Sequence, residues 1–404
     1  MMDGRQMPLF TIDQVLSAYG QGEEGVSNKT IYEALSQKSG VPEKVFDSKQ
    51  AIGRSGQKHN LAGRSVRWIQ QTAKHLGLLE RVPGRRGVWR LTGQGKQMVG
   101  EAVLGTALLA FSTRWGIAIW AHWEDVHPHL REQVHVCISS PPYLLAKQRA
   151  YGNPPTEREY IDFIVASIEP VVRLLAPGGS ICLNLGNASF EPGKPSRRLY
   201  MERLTLRLAD EFHLHKMDAI IWHNTSAPPG PVQWSSKQRV QLNASYETLL
   251  WFTNDPARCF ADNRRILEPH SERHLKLLEK GGEQRHGVFS DGAYRIREGS
   301  FSNLTEGRIP RNVWPIGHRD KESIACNAYA KEHGFQAHGA PMPLALADRL
   351  VRFLSCEDHV ILDWCAGRLT TARAAEMNKR RWIAVEKVGD YLSVARAVRF
   401  PEAA

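Results

Sequence analysis

The stretch "VHVCI" at 134–138 alternates its side chains and is built of β-branched and apolar residues, the pattern of a buried strand. Pro141 and Pro142 follow almost at once. Neither has a backbone N–H and each fixes its own φ, so the strand must stop and present a stiff tetrapeptide, Ser140-Pro141-Pro142-Tyr143, at its carboxyl end. Helical spacing over 157–175, a Pro-Gly-Gly turn and the apolar run "SICLNLG" come next. A strand–helix–strand unit with short turns belongs to a parallel sheet. "MDAIIWHN" and "SYETLLWFTN" predict two more strands. Towards the carboxyl end "HVILD" ends at Asp363, "WCAGRLTT" is a loop, a helix follows, and "RWIAVE" is a strand ending at Glu386. The first hundred residues read differently. "TIDQVLSAYG" and "SNKTIYEALSQKSG" have helical spacing, the second with Ser27 or Asn28 as N-cap and Gly40 as stop. "GRSVRWIQQTAKHLG" places Val66, Ile69, Ala73 and Leu76 on one face, and "LLERVPGRRGVWRLT" predicts a hairpin with Arg85 and Arg86 at its tip.

Composition narrows the classes. A chain of 404 residues suits two or three domains, and a hydrophobic fraction of 42% is enough for packed cores. No apolar run approaches a membrane span, and "MMDGRQMPLF" lacks the apolar stretch of a signal peptide. Six scattered cysteines contain no CxxC pair, so no zinc site or disulfide framework is expected and a reducing cytoplasm fits. The net charge of +11 is unevenly placed: residues 51–100 hold ten Lys or Arg against a single acid, Glu80. That imbalance is the footprint of a phosphate-binding surface, although a basic surface kept for solubility is the rival. Arg54, Lys58, Arg64, Arg67, Lys74, Arg85 and Arg86 are the candidate DNA contacts there. Helix, helix, basic helix and basic hairpin over about 8–95 resemble a winged helix-turn-helix, which implies a DNA-binding domain at 1–100. A protein-binding winged helix is the competing reading, and the charge argues against it.

Asp363, its loop and Glu386 form the first half of a nucleotide-binding βαβ unit, in which a ligand approaches the loop backbone and an acid some twenty positions on holds ribose hydroxyls. Alone the pattern is weak, since Gly367 is the loop's one glycine. With Ser140-Pro141-Pro142-Tyr143 it resembles the permuted, beta-class amino-methyltransferases that act on DNA, whose catalytic tetrapeptide, Ser/Asp/Asn-Pro-Pro-aromatic, precedes the cofactor loop. That loop usually reads DPFAGSGTT; here it is "DWCAGRLTT", matching at Asp363, Ala366, Gly367, Thr370 and Thr371 and departing at Trp364, Cys365, Arg368 and Leu369. "HGAPMPLALADRLV", with Pro341, resembles the segment that closes over the cofactor's methionine part. The likeness spans about 115–253 and 310–400, which implies a catalytic half at 115–253 and a cofactor half at 310–404. It implies a doubly wound Rossmann-like α/β sheet with S-adenosylmethionine held by residues 363–367, Thr370, Thr371, Glu386 and Pro341. "GIAIWAHWEDV" can supply the third strand, but the family's Gly-Asp after it is missing, with Ala121-His122 or Glu124 and Asp125 in its place.

The resemblance gives the tetrapeptide its task. An exocyclic amine is a poor nucleophile, and acceptors aimed at its N–H bonds favour the pyramidal transition state. The Ser140 hydroxyl and Pro141 carbonyl are the candidate acceptors, Pro142 stiffens the turn, and Tyr143 can stack on a flipped-out base. Serine at the first position resembles the cytosine-N4 branch, with N6-adenine as the alternative. Arg368 and Leu369, where small residues normally stand, motivate a further alternative, a DNA-binding protein with a degenerate fold. Residues 254–309 break the pattern where the family inserts its target-recognition region. Arg264, Arg265, Arg295 and Arg297 are candidate contacts there, against a solvated insertion. The expected partner is double-stranded DNA in a bacterial or phage modification system; a restriction endonuclease partner and a homodimer stay open.

Overall fold

The computed structural model describes residues 15–16, 18–19, 24–39, 42–46, 48, 50–51, 58–75, 77–93, 95, 101–102, 104–144, 154 and 156–403. Its main element is a nine-stranded sheet. In chain order the strands are β1 (Leu108–Ser112), β2 (Gly116–Trp120), β3 (Val134–Ser139), β4 (Leu175–Gly186) and β5 (His215–Asn224). They continue with β6 (Tyr246–Thr253), β7 (Val313–Ile316), β8 (Val360–Asp363) and β9 (Arg381–Glu386). Across the sheet they run β7-β5-β6-β4-β3-β8-β9-β2-β1. The centre is parallel: β8 pairs β3 through Ile361↔Val136 and Leu362↔Cys137, and β9 pairs β8 and β2. β6 runs antiparallel between β4 and β5, and β1 closes the far edge antiparallel to β2.

Alternation explains why the central strands read as unbroken apolar runs. Val136, Ile138, Ile361, Trp382 and Ala384 face one buried layer, whereas Cys137, Leu362, Ile383 and Val385 face the other. A parallel sheet covered on both sides by helices needs this double burial. Leu344–Leu354 covers the first face with Leu346, Ala347, Leu350, Val351 and Leu354. Glu157–Leu174 covers the second with Tyr160, Ile161, Ile164 and Ile168, and begins at a capping box in which Thr156 and Glu159 satisfy each other's backbone. Burial of each such side chain contributes roughly 1.5–3 kcal/mol. The expected doubly wound sheet is present; the edge strands β1 and β7 had not been anticipated.

The amino-terminal part forms its own small core, including Ile31, Leu35, Val66, Ile69, Ala73, Trp89 and Leu91. Helix Asn28–Ser39 starts with the Thr30 N–H donating to Ser27 Oγ at 3.2 Å, so serine supplies the cap. Helix Leu61–His75 leads into strands Leu79–Arg81 and Val88–Leu91, and Val26–Ser27 joins the latter as a third strand. Gly84 and Gly87 take positive φ at the hairpin turn, where a side chain would be strained. Leu76 and most of "TIDQVLSAYG" lie outside the described residues.

The segment 254–309, expected as an inserted recognition region, begins packed against the core. Ile266 is buried in the main core, and Arg265 donates to the carbonyls of Phe260 and Ser355. Only after Glu268, which is held by Arg349 at 2.6 Å, does the chain carry helix Glu272–Glu279 and the hairpin of Gly287–Phe289 with Tyr294–Ile296.

Candidate active site

Adjacent parallel strands β3 and β8 both end at one edge of the sheet, so Ser140 and the loop after Asp363 emerge side by side. Ser139 Oγ donates to Asp363 Oδ1 at 2.8 Å, and the Cys365 N–H donates to the same oxygen at 3.2 Å. Burial nevertheless pushes the Asp363 carboxyl up to about 6, against the pull of its hydrogen bonds from Ser139 and Thr371. The loop then turns through Gly367, whose φ is +52°. A Cβ there would come within 2.7 Å of His338 Nε2, so glycine is needed for space as well as for conformation. Leu369 holds a similar left-handed φ of +56° without being glycine, and its side chain is fully buried. Thr370 and Thr371 open the buried first turn of helix Thr370–Met377.

Glu386, at the end of β9, fastens the loop from the other side. One oxygen accepts from the Gly367 N–H at 2.7 Å and the other from the Val388 N–H at 2.8 Å. Burial pushes its carboxyl up to about 7. Between the two strand ends lies a cavity of about 320 Å³, lined among others by Ser140, Tyr143, Trp364, Cys365, Gly367 and Glu386. A smaller recess of about 30 Å³ beside it is lined by Ser140, Pro341, Asp363, Ala366, Thr370 and Thr371. The sequence-derived tetrapeptide and cofactor loop therefore share one cleft. His122 and Glu124 also reach the cavity, whereas Asp125 turns away to accept from the Gly105 N–H.

Tyr143 does more than line the cavity. Its ring packs beside Gly186, where a Cβ would lie 3.0 Å from Cδ2, and its hydroxyl donates to Glu247 Oε2 at 2.5 Å. Asn184 Nδ2 donates to Tyr143 Oη and to Glu247 Oε2, each at 2.9 Å. Ser140 Oγ sits 3.4 Å from Tyr143 Oη. Asn184 and Glu247 were missed from sequence. The available signal was an amide and a carboxylate, each inside a largely apolar strand pattern, "SICLNLG" and "SYETLLWFTN".

The candidate DNA contacts divide. Arg64, Arg67 and Lys74 are exposed on helix Leu61–His75 with Trp68, and Arg85 and Arg86 are exposed at the hairpin tip. Arg295 is exposed on the strand Tyr294–Ile296 and Arg297 is exposed just after it. Arg264 is exposed but forms a fork on Asp262, with contacts of 2.8 and 3.0 Å. Arg265 has a structural task instead of a surface one. Its guanidinium caps carbonyls at the end of helix Leu344–Leu354, because those groups have no intrahelical partner. Arg54 lies outside the described residues, as does the side chain of Lys58, whose backbone forms the short strand Lys58–His59.

The residues fit S-adenosylmethionine. The loop backbone at Gly367 is open to close approach, Glu386 can offer its remaining lone pairs to ribose hydroxyls, and the cavity volume falls in the range of ligand sites. When bound, that cofactor supplies the methyl group, its S–C bond breaking towards the sulfur as the acceptor nitrogen's lone pair forms the new bond.

Comparison with known proteins agrees. Residues 134–397 match the N6_N4_Mtase family, described as DNA methylase. The type II methyltransferase M.PvuII of Proteus hauseri is 30% identical over 271 residues, covering 67% of this chain and 78% of that protein. M.ScaI of Streptomyces caespitosus is 22% identical over 259 residues, covering 64% and 72%. Among solved structures, the cytosine-N4-specific PvuII DNA methyltransferase shares the fold with a TM-score of 0.56 and 24% identity, over 72% of this chain and 88% of that one. The chain belongs to the N6_N4_Mtase family of DNA methylases and is an S-adenosylmethionine-dependent DNA amino-methyltransferase.

Proposed function

We propose that the enzyme methylates the N4 amine of a cytosine flipped out of duplex DNA, within a cytoplasmic modification system. The observation that carries this reading is Ser140, a neutral acceptor in the first position of the tetrapeptide, in a cleft shared with the cofactor loop. The relative M.PvuII, 30% identical, supports it, since a PvuII methyltransferase is named cytosine-N4-specific. The Ser140 hydroxyl and Pro141 carbonyl accept from the amine, and the prolines keep the carbonyl from turning away. The Tyr143 ring, fixed by Gly186 and by its hydroxyl bonds, is a rigid platform for the extruded base. Methylation at carbon 5 would need a thiolate beside the base. Burial pushes the thiols of Cys137 and Cys365 well above their usual range, which opposes that chemistry.

In this reading the amino-terminal unit is a winged helix that grips the same duplex. Arg64, Arg67, Trp68, Gln71 and Lys74 all face outwards along one helix, with no acid among them, and Arg85 and Arg86 extend the basic surface. The insertion after Glu268 serves target recognition through Arg295 and Arg297. Digesting DNA methylated by the purified enzyme to nucleosides tests the base assignment. N4-methylcytosine is the expected product, and N6-methyladenine would reverse it.

A further inference from the structure

Methyl transfer leaves the amine nitrogen with a positive charge and one proton too many. No side chain of the Ser140–Tyr143 run is basic enough to hold that proton. Ser140 faces a related difficulty: to accept from the amine, it must aim its own hydroxyl proton elsewhere.

Both difficulties end at Glu247. An ionised carboxylate can only accept, so it fixes the direction of each bond that leads to it. Tyr143 Oη–H donates to Glu247 Oε2 at 2.5 Å, and one Asn184 N–H donates to the same oxygen. Tyr143 Oη is left as an acceptor with two lone pairs, one of which takes the 2.9 Å bond from Asn184 Nδ2. Ser140 Oγ, 3.4 Å from Tyr143 Oη, can then point its hydroxyl proton at the tyrosine and keep a lone pair for the substrate. Without the charge on Glu247, Tyr143 and Ser140 could equally donate outwards, against the amine.

We propose that Glu247 is a positioning residue for the catalytic clamp: it orients Ser140 through Tyr143 and receives, along the same path, the proton released by the methylated amine. This rests on Ser140 being the amine's acceptor. As the amine gives a proton to Ser140 Oγ, the Ser140 proton passes to Tyr143 Oη and the Tyr143 proton to Glu247 Oε2. The nitrogen returns to neutral, both hydroxyls are regenerated, and the carboxylate becomes a carboxylic acid that later loses its proton to water. Asn184 cannot take this role because an amide is not basic. Among the described residues Glu247 forms no ion pair; Tyr143, Asn184 and, further off, Tyr200 are the polar groups whose interactions reach it. Burial accordingly holds its carboxyl above the usual carboxylate range, which makes it a better proton acceptor.

The test is the pH dependence of single-turnover methylation by the full-length enzyme, with S-adenosylmethionine affinity measured by calorimetry alongside. In the wild type the rate should fall on the acid side, at a pH above the ordinary carboxylate range, as Glu247 is protonated. Glu247→Gln should slow the step by roughly ten- to a thousandfold and abolish that acid limb, with cofactor affinity changed less than about threefold. Glu247→Asp should restore the limb and part of the rate. Tyr143→Phe, which keeps the carboxyl but cuts the path, should lose the same limb even if Glu247→Gln folds poorly. An acid limb unaltered in either Glu247→Gln or Tyr143→Phe overturns the proposal. A wild type that leaves cytosine N4 unmethylated would instead overturn the functional reading beneath it.

Discussion

Ser139 Oγ lies 2.8 Å from Asp363 Oδ1, a bond between neighbouring strands that joins residues 224 positions apart. It ties the strand that leads into Ser140 to the loop proposed to hold the cofactor. The two halves should nevertheless separate by function. Asp363→Ala is expected to weaken S-adenosylmethionine binding at least tenfold. Tyr143→Ala should cut turnover strongly and leave cofactor affinity within about threefold. Calorimetric titration beside methylation kinetics distinguishes them, and equal losses in both assays would count against this division.

Glu386 gives a stability prediction with a definite sign. Its carboxyl is pushed up to about 7 in the folded protein, so folding favours the protonated form. The associated stability is full below the unfolded value of 4.5 and is lost as pH rises through about 7. Glu386→Gln removes this titration but mismatches one backbone N–H, which adds a constant penalty. The Tm of the cofactor-free variant, relative to wild type, should therefore rise between pH 5 and pH 8. A constant difference would mean that Glu386 is not held protonated.

His135 and His359 stack at 4.0 Å at the opposite end of the central strands, and His359 is pushed down to about 4 by burial and by the neighbouring imidazole. Here the sign reverses. The stabilisation is present above the unfolded value near 6.5 and is lost as pH falls towards 4. His359→Phe should consequently lose less stability than wild type between pH 7 and pH 5, measured by urea unfolding. A steeper acid loss in the variant would contradict this.

Leu369 sets two effects against each other. Its left-handed backbone costs about 1–2 kcal/mol relative to glycine. Its buried side chain, packed in the main core, is worth about 2–5 kcal/mol against truncation. Burial should win, so Leu369→Gly is expected to lower stability by about 1–3 kcal/mol while keeping the turn and the cofactor affinity. A stabilised variant would show that the left-handed backbone outweighs the buried side chain.

For the amino-terminal unit, each phosphate contact contributes about 0.9 to the slope of log affinity against log salt. Replacing Arg85 and Arg86 by Gln should flatten that slope by up to about two. An unchanged slope would remove the hairpin tip from the DNA interface.

Much of the scaffold was legible along the chain because its determinants are local. Two prolines must end β3, and a continuous apolar run must be buried on both faces. The resemblance carried by the Ser140 and Asp363 motifs implied a doubly wound sheet, and the fold places their strands side by side. Edge strands β1 and β7 escaped notice because short strands at a sheet margin carry little alternation; Val313–Ile316 is four residues long and contains Pro315. Arg265 read as a surface cation because charge is visible in sequence and its partners are not. Only the fold brings three backbone carbonyls around it. The same holds for Glu247 and Asn184. Each is a polar residue in a largely apolar strand, and neither indicates locally that β6 and β4 will pair and bring both side chains to the Tyr143 hydroxyl. Sequence by itself determined the central strands and where their loops begin, since backbone sterics and apolar burial act over a few residues. The protonation and direction of the polar groups in the cleft were decided by tertiary structure alone, because desolvation and hydrogen-bond partners come from residues far apart in the chain.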